Sequence, residues 1–233
     1  MKIECVWEHN GSDTLLYAEN LPGAYTRGIN REAALEKMDK EVRSMLQWMG
    51  RKEPRAVIIE IVQESDCGLE IRDADSDVLF LSEKEPLTWE EYVELKTLVL
   101  KSAADFLSLY EAVPDKNRSG APLRKTFYGQ VPRTAEEMYR HTKNVNEYYF
   151  GEIDVEADNG GTILECRQRG LEALEQKGDF LDNPVIEGSY GEVWTLRKVL
   201  RRFLWHDRIH AKAMYKMAQR EFGENAVPNL FCF

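Results

Sequence analysis

Three histidines carry the chemistry that this chain could perform. His206 and His210 stand one helical turn apart in a segment whose stripe Leu196, Val199, Phe203, His206, His210, Ala213, Met217 recurs at steps of three and four. That spacing predicts both imidazoles on the inward face of one helix, pointing the same way. An earlier stripe, Thr134, Met138, His141, Val145, Tyr148, predicts His141 on the inward face of a second helix. A buried imidazole without a partner costs about 1–3 kcal/mol. Three of them in one core call for a shared compensation, and a divalent cation supplies it, because neutral imidazole is the commonest protein ligand for such ions. An H-x-x-x-H pair on one helix and a third His from a facing helix make a three-nitrogen site, with positions left open for water or substrate. The expected metal ligands are therefore His141, His206 and His210. For the pair on one helix taken alone, a satisfied polar core is the competing reading.

Other reactive side chains give weaker signals. Asp207 and Glu137 read as surface charges rather than as groups orienting the histidines. The basic residues from Arg197 to Arg202 read as a solvated helix face, and Arg208, Lys212 and Lys216 continue it. Tyr139, Tyr148, Trp205 and Arg208 flank the histidines in sequence. Cys5, Cys67, Cys166 and Cys232 are scattered singly, form no CxxC, and read as free packing thiols. Ser102 falls on an inward stripe, but no nucleophile elbow surrounds it. His9, before Asn10-Gly11, reads as a turn residue, and Gly50 and Gly160-Gly161 read as turns, since no phosphate-loop spacing surrounds them.

The elements that must hold these residues divide the chain in two. Residues 1–80 read as a small α/β domain. Lys2 to Trp7 and Thr14 to Ala18 are strands, Leu21-Pro22-Gly23 is a turn, and Asn30 caps a helix that runs to Gly50. Ala56 to Val62 is β-branched and apolar on both faces, which predicts a central strand. Residues 85–233 read as all-α. Thr88 and Glu91 form a capping box before the stripe Tyr92, Leu95, Val99, Ser102, Phe106, Leu109. Further helices start at Thr134 and Thr162, and the longest runs from Trp194 to Phe222. Four helices joined by loops are the sequence form of a four-helix bundle, so the fold class expected is α+β.

Composition narrows the function. The chain has 233 residues, of which 41 are acidic and 31 basic, for a formal net charge of −10. That balance disfavours nucleic acid as the main partner, because binding to phosphates is driven by Lys and Arg releasing counterions. No apolar run is long enough to cross a membrane or to serve as a signal peptide, so a cytoplasmic protein is expected.

The segments Arg202-Phe203-Leu204-Trp205-His206-Asp207-Arg208-Ile209-His210 and Arg133-Thr134-Ala135-Glu136-Glu137-Met138-Tyr139-Arg140-His141 resemble the last-helix and second-helix histidine motifs of the DinB/YfiT-like superfamily, over about residues 85–223. The resemblance implies a four-helix bundle that binds a divalent metal, zinc or nickel, through three His. It also implies a low-molecular-weight thiol and a small electrophile as partners, since members of known activity are thiol-dependent S-transferases and isomerases. The run Tyr17-Ala18-Glu19-Asn20-Leu21-Pro22-Gly23-Ala24-Tyr25-Thr26-Arg27-Gly28, followed by Glu32-Ala33-Ala34, resembles a HicB-type domain over about residues 1–65, with Ala24 where that family often has Cys. That resemblance implies a small sheet with one helix packed on it, and a protein partner. Two functions follow as expectations: a metal-dependent transferase or hydrolase, and a binding module in which the sheet takes a protein partner and the histidines are structural or vestigial.

Overall fold

The computed structural model describes residues 1–73, 76–126 and 129–233. The chain is a mixed α+β protein in which a small N-terminal sheet is followed by helices. It separates into two compact units, Met1–Glu85 with Cys232–Phe233, and Pro86–Phe231.

The first unit is a four-stranded sheet in the order β3-β2-β1-β4, built from β1 (Lys2–His9), β2 (Thr14–Ala18), β3 (Tyr25–Gly28) and β4 (Ile58–Asp66). β1 to β3 form an antiparallel meander, and β4 runs parallel to β1. The crossover to β4 is α1 (Arg31–Trp48), which packs on β2 and β3. Asn30 caps α1 by accepting from the Ala33 amide, and Gly50 ends the run at φ +69°, a left-handed conformation that suits glycine. Ile3, Cys5, Leu16, Ala34, Met38 and Val42 are fully buried in this unit.

β4 is not the central strand that its composition predicts. It lies at the sheet edge, and Ile58 is 65% and Val62 41% exposed. An apolar, β-branched run reports strand propensity, whereas strand order follows from the connection around α1. His9 is no turn residue either. It ends β1, stacks on Trp7 with ring centroids 4.3 Å apart, and meets Glu64 at 3.1 Å.

The second unit contains α2 (Trp89–Ala112), α3 (Ala135–Gly151), α4 (Ile163–Glu175) and α5 (Leu196–Phe222). α2 packs on α5 and α4, and α3 packs on the same two. Their starts are set locally. Thr88, Thr134 and Thr162 each accept the amide hydrogen of the residue three on, and Glu91, Glu137 and Glu165 close the capping boxes. α5 begins one residue after its cap Thr195, and Trp194, predicted as the first helical residue, belongs to a strand.

The unit also departs from the expected all-α composition. β5 (Lys125–Thr126) pairs with β6 (Gly129–Gln130), and β7 (Ile186–Glu187) pairs with β8 (Val193–Trp194). The second hairpin falls in the turn-rich stretch between α4 and α5, where Ile186 and Val193 favour extended backbone and leave the intervening residues to turn.

Candidate metal centre

α5 carries His206 and His210 one turn apart, with ring centroids 4.5 Å apart. α3 brings His141 to them, its ring 5.1 Å from that of His206 and 4.7 Å from that of His210. The Nε2 atoms of His141 and His206 face each other at 3.2 Å, and one ligand atom from each of the three rings lies within 4.8 Å of the others. The three predicted residues are therefore brought together. Two nitrogens bound to one tetrahedral zinc at about 2.0–2.1 Å sit roughly 3.3–3.4 Å apart, so the closest pair has the spacing that a shared ion requires.

The cluster sits at the flank of the helices, which differs from the predicted stripe on α3. The buried face of α3 runs through Met138, Thr142, Asn146 and Tyr149, while His141 and Tyr148 are exposed and Val145 half-buried. Thr142 and Asn146 are polar yet fully buried, which apolar periodicity does not register. Their groups are satisfied: Thr142 donates to Met138 O, and Asn146 Nδ2 donates to Asp158 O and Cys166 O. On α5 the stripe holds through His206, which is buried. His210 is half-buried, and Ala213 turns out to solvent.

Loss of water around the ring nitrogens sets the protonation of all three rings, including His141, whose residue is otherwise exposed. Desolvation lowers the pKa of His141 and takes His206 well below the ordinary value, with His210, His141, Arg202 and Arg167 adding repulsion. His210 is pushed down to about 3 by burial, then by His141. At neutral pH the cluster is thus three uncharged imidazoles, the form that offers lone pairs to an ion. Among the described residues the buried Nδ1 of His206 has no hydrogen-bond partner.

The neighbouring charges do other work than the sequence suggests. Asp207 is not a surface charge. Both it and Arg167 are fully buried, paired through Nη1–Oδ2 and Nη2–Oδ1 at 3.3 Å, with the Phe203 ring 3.6 Å from the guanidinium. The partner lies 40 residues away, beyond any local pattern. Burial pushes the Asp207 carboxyl up, against the pull of Arg167. Ser102 is buried too, and among the described residues its hydroxyl has no hydrogen-bond partner, so no base is in place to activate it. Glu137 accepts from the amides of Arg133 and Thr134 and so closes the capping box at the start of α3.

The basic run is not a solvated face, because Lys198 and Arg201 are buried. Lys198 Nζ donates to Val193 O at 2.7 Å, meets Glu192 at 2.9 Å and lies over the Trp194 ring, and burial lowers its pKa to about 8. Arg208 is buried as well and donates to Phe231 O. Tyr139 accepts from the Ile163 amide, Tyr148 packs edge-on to Trp194, and Arg202 lies over the buried Trp205 ring, so none of these flanking residues is placed to join the cluster. The four cysteines are free, with Cys5 and Cys166 buried, and burial pushes the Cys5 thiol up to about 12 and Cys67 up to about 11.

A pocket of about 790 Å³ opens beside the cluster, and His141 forms part of its wall. Arg133, Glu136, Arg140 and Asn144 line it with His141. Arg133 and Asn144 carried no signal in the sequence, because a wall assembled from a loop and the exposed flank of a helix has no periodicity. The chain matches no family model, and no curated protein or solved structure is similar to it. Among the described residues, no helix is long and apolar enough to cross a membrane.

Proposed function

We propose that the second unit is a divalent-metal centre of the DinB/YfiT kind, a four-helix bundle made of α2 to α5 whose ion is held by His141, His206 and His210. The observation that carries this reading is the convergence of three neutral imidazoles from two helices, with one ligand atom of each within 4.8 Å of the others. Packing of α2 and α3 each on both α4 and α5 supports the bundle. Zinc or nickel suits an all-imidazole donor set.

When bound, such an ion would lower the pKa of a coordinated thiol or water, so that a nucleophile exists at neutral pH. The reaction we assign is transfer of a low-molecular-weight thiol to a small electrophile, with hydrolysis as the variant in which water takes the thiol's place. The protein's own contributions are three. His206 and His210 are held on the rigid α5, which the buried Arg167–Asp207 pair ties to α4. Desolvation keeps the rings unprotonated. The open side of His141 admits substrate from the pocket.

The test is the metal content of protein purified without added metal. One equivalent of zinc or nickel in the wild type, lost in His206→Ala, is the expected result, together with metal-dependent conjugation of 2-mercaptoethanol to 1-chloro-2,4-dinitrobenzene. Metal at trace level only would remove the reading.

A second reading concerns the first unit. The exposed Ile58 and Val62 on the edge strand β4 favour a HicB-like scaffold that takes an extended segment of a protein partner along that strand. Loss of a purified partner on Ile58→Lys with Val62→Lys is the expected outcome, and undiminished binding would reject it.

A further inference from the structure

The hairpin β7–β8 of the second unit holds an aromatic ring out in solvent. Tyr190, at its tip, is 99% exposed and stands at φ +62°, a left-handed conformation that bulky residues seldom adopt. The tip is fixed in that shape by its neighbours. Glu152, buried just past the end of α3, accepts the Ser189 amide at 2.6 Å, and Gly188 donates to Glu192 O at 2.8 Å. A Cβ on Gly188 would fall 1.8 Å from Glu152 Oε2, so only glycine lets the carboxylate approach this closely. Val185 and Val193, on the same hairpin, are exposed as well. Rigidly presented aromatic side chains are the usual anchors of protein interfaces.

The root of the same hairpin lines a cavity of about 150 Å³. Its apolar wall is Ile153, Leu174, Phe180, Pro184, Ile186 and Leu196, and Asp154 and Asp179 stand in it with Lys177. An apolar cavity of roughly that volume accepts one benzene ring. From this pairing of knob and hole we propose that two copies of the chain associate about a two-fold axis, each seating its Tyr190 ring in the cavity of the other. The ring does not fill the cavity of its own copy, because the clamped tip carries it into water. A surface that presents both a knob and a matching hole is self-complementary, which isologous association of identical chains requires, whereas a foreign partner would use only one of the two. The phenol also suits the wall. Its apolar body meets the aliphatic side chains and Phe180, and its hydroxyl has carboxylate acceptors in Asp154 and Asp179. A tip already held in its seated shape loses little freedom on docking. Each ring buries about 150–250 Å², so two rings and the flanking valines make an interface at the small, transient end of the range, with association in the micromolar range or weaker.

The test is sedimentation equilibrium of the full-length protein from about 1 μM to about 500 μM, which brackets micromolar association. The wild type is expected to dimerise within that range. Tyr190→Asn drops the ring but suits the left-handed backbone, and is expected to weaken the dimer by about tenfold or more. An amide NMR titration then reads the hole directly. Isotope-labelled Tyr190→Asn keeps its cavity, so unlabelled wild type is expected to shift its Leu174, Phe180 and Ile186 amides, and unlabelled Tyr190→Asn to leave them unmoved. A wild type that stays monomeric throughout, a dimer equally strong in Tyr190→Asn, or a dimer that forms without moving those amides would each overturn the proposal. Cavity amides that respond to N-acetyltyrosine amide in a chain that stays monomeric would assign the hole to an aromatic side chain of a different protein, and would overturn it as well.

Discussion

Removing the Asp207 carboxylate tests how the helices that carry the histidines are held. Arg167 and Asp207 are both fully buried, so Asp207→Ala strands a guanidinium in the core with only Asn146 Oδ1 at 3.3 Å and the face of Phe203 for company. Breaking a buried pair from one side costs about 3–5 kcal/mol. The two bridging contacts are 3.3 Å long, against about 2.7–2.9 Å for the strongest charge-assisted bonds. The lower end, about 3 kcal/mol, is therefore expected. With a urea slope of about 2 kcal/mol/M, that moves the midpoint down by roughly 1.5 M.

The pair itself is worth much less than its disruption. Burial already pushes the Asp207 carboxyl up, so much of the attraction is consumed by desolvation. Arg167→Met combined with Asp207→Leu should then return to within about 1 kcal/mol of wild type. The assay is urea unfolding followed by hydrogen exchange of α4 and α5 amides, because a chain of two units need not unfold in one step. A midpoint shift below about 0.3 M in Asp207→Ala, or a double variant no better than the single one, would refute the reasoning.

Three further outcomes follow from the same packing. Gly170 packs so closely on Phe150 that a Cβ built on it would clash with the Cδ2–Cε2 edge of the ring, so Gly170→Ala should cost about 1–3 kcal/mol by forcing α3 and α4 apart, read as a drop in Tm. In metal-free protein the depressed histidine pKa values make stability fall on acidification. Above pH 6.5 the rings are neutral in both states, and below it the unfolded chain gains protons that the folded cluster refuses. His210 then removes up to about 1.4 kcal/mol per pH unit as the pH falls toward its value of about 3, and His210→Gln should flatten the profile measured by urea titration. Thr134→Ala removes the cap that accepts the Glu137 amide at 3.1 Å and should cost about 1 kcal/mol, measured by thermal unfolding, with an unchanged Tm counting against the cap.

What could be read in the sequence is what local physics decides. The helix starts at Thr88, Thr134 and Thr162 are written in hydroxyl and carboxylate pairs three residues apart, and the histidines of α5 in a spacing of four. The face of α3 was legible only to within one residue. Its buried positions include Thr142 and Asn146, whose polarity is compensated by bonds to backbone that periodicity cannot foresee. The burial of Lys198, Arg201, Arg208 and Asp207 was hidden for a related reason. A charge looks solvated until its partner is known, and Arg167 lies on another helix. The place of β4 at the sheet edge depends on strand order, a non-local property that composition does not encode.

The offset of α3 also bears on what the cluster can do. Had His141 lain on the core stripe, three rings would share a closed interior with no route for a substrate. Its place on the flank leaves His206 buried, His210 half-buried and His141 on the wall of an open pocket. The carboxylates that could have joined are committed elsewhere: Asp207 to Arg167, Glu137 to backbone amides, and Glu136 to Tyr110 and Arg140. An ion in this site would therefore meet nitrogen donors without negative charge and keep its full positive charge for whatever occupies the open position. Donors of that kind favour acidification of a bound thiol or water over tight structural holding, for which thiolate ligands are the usual choice.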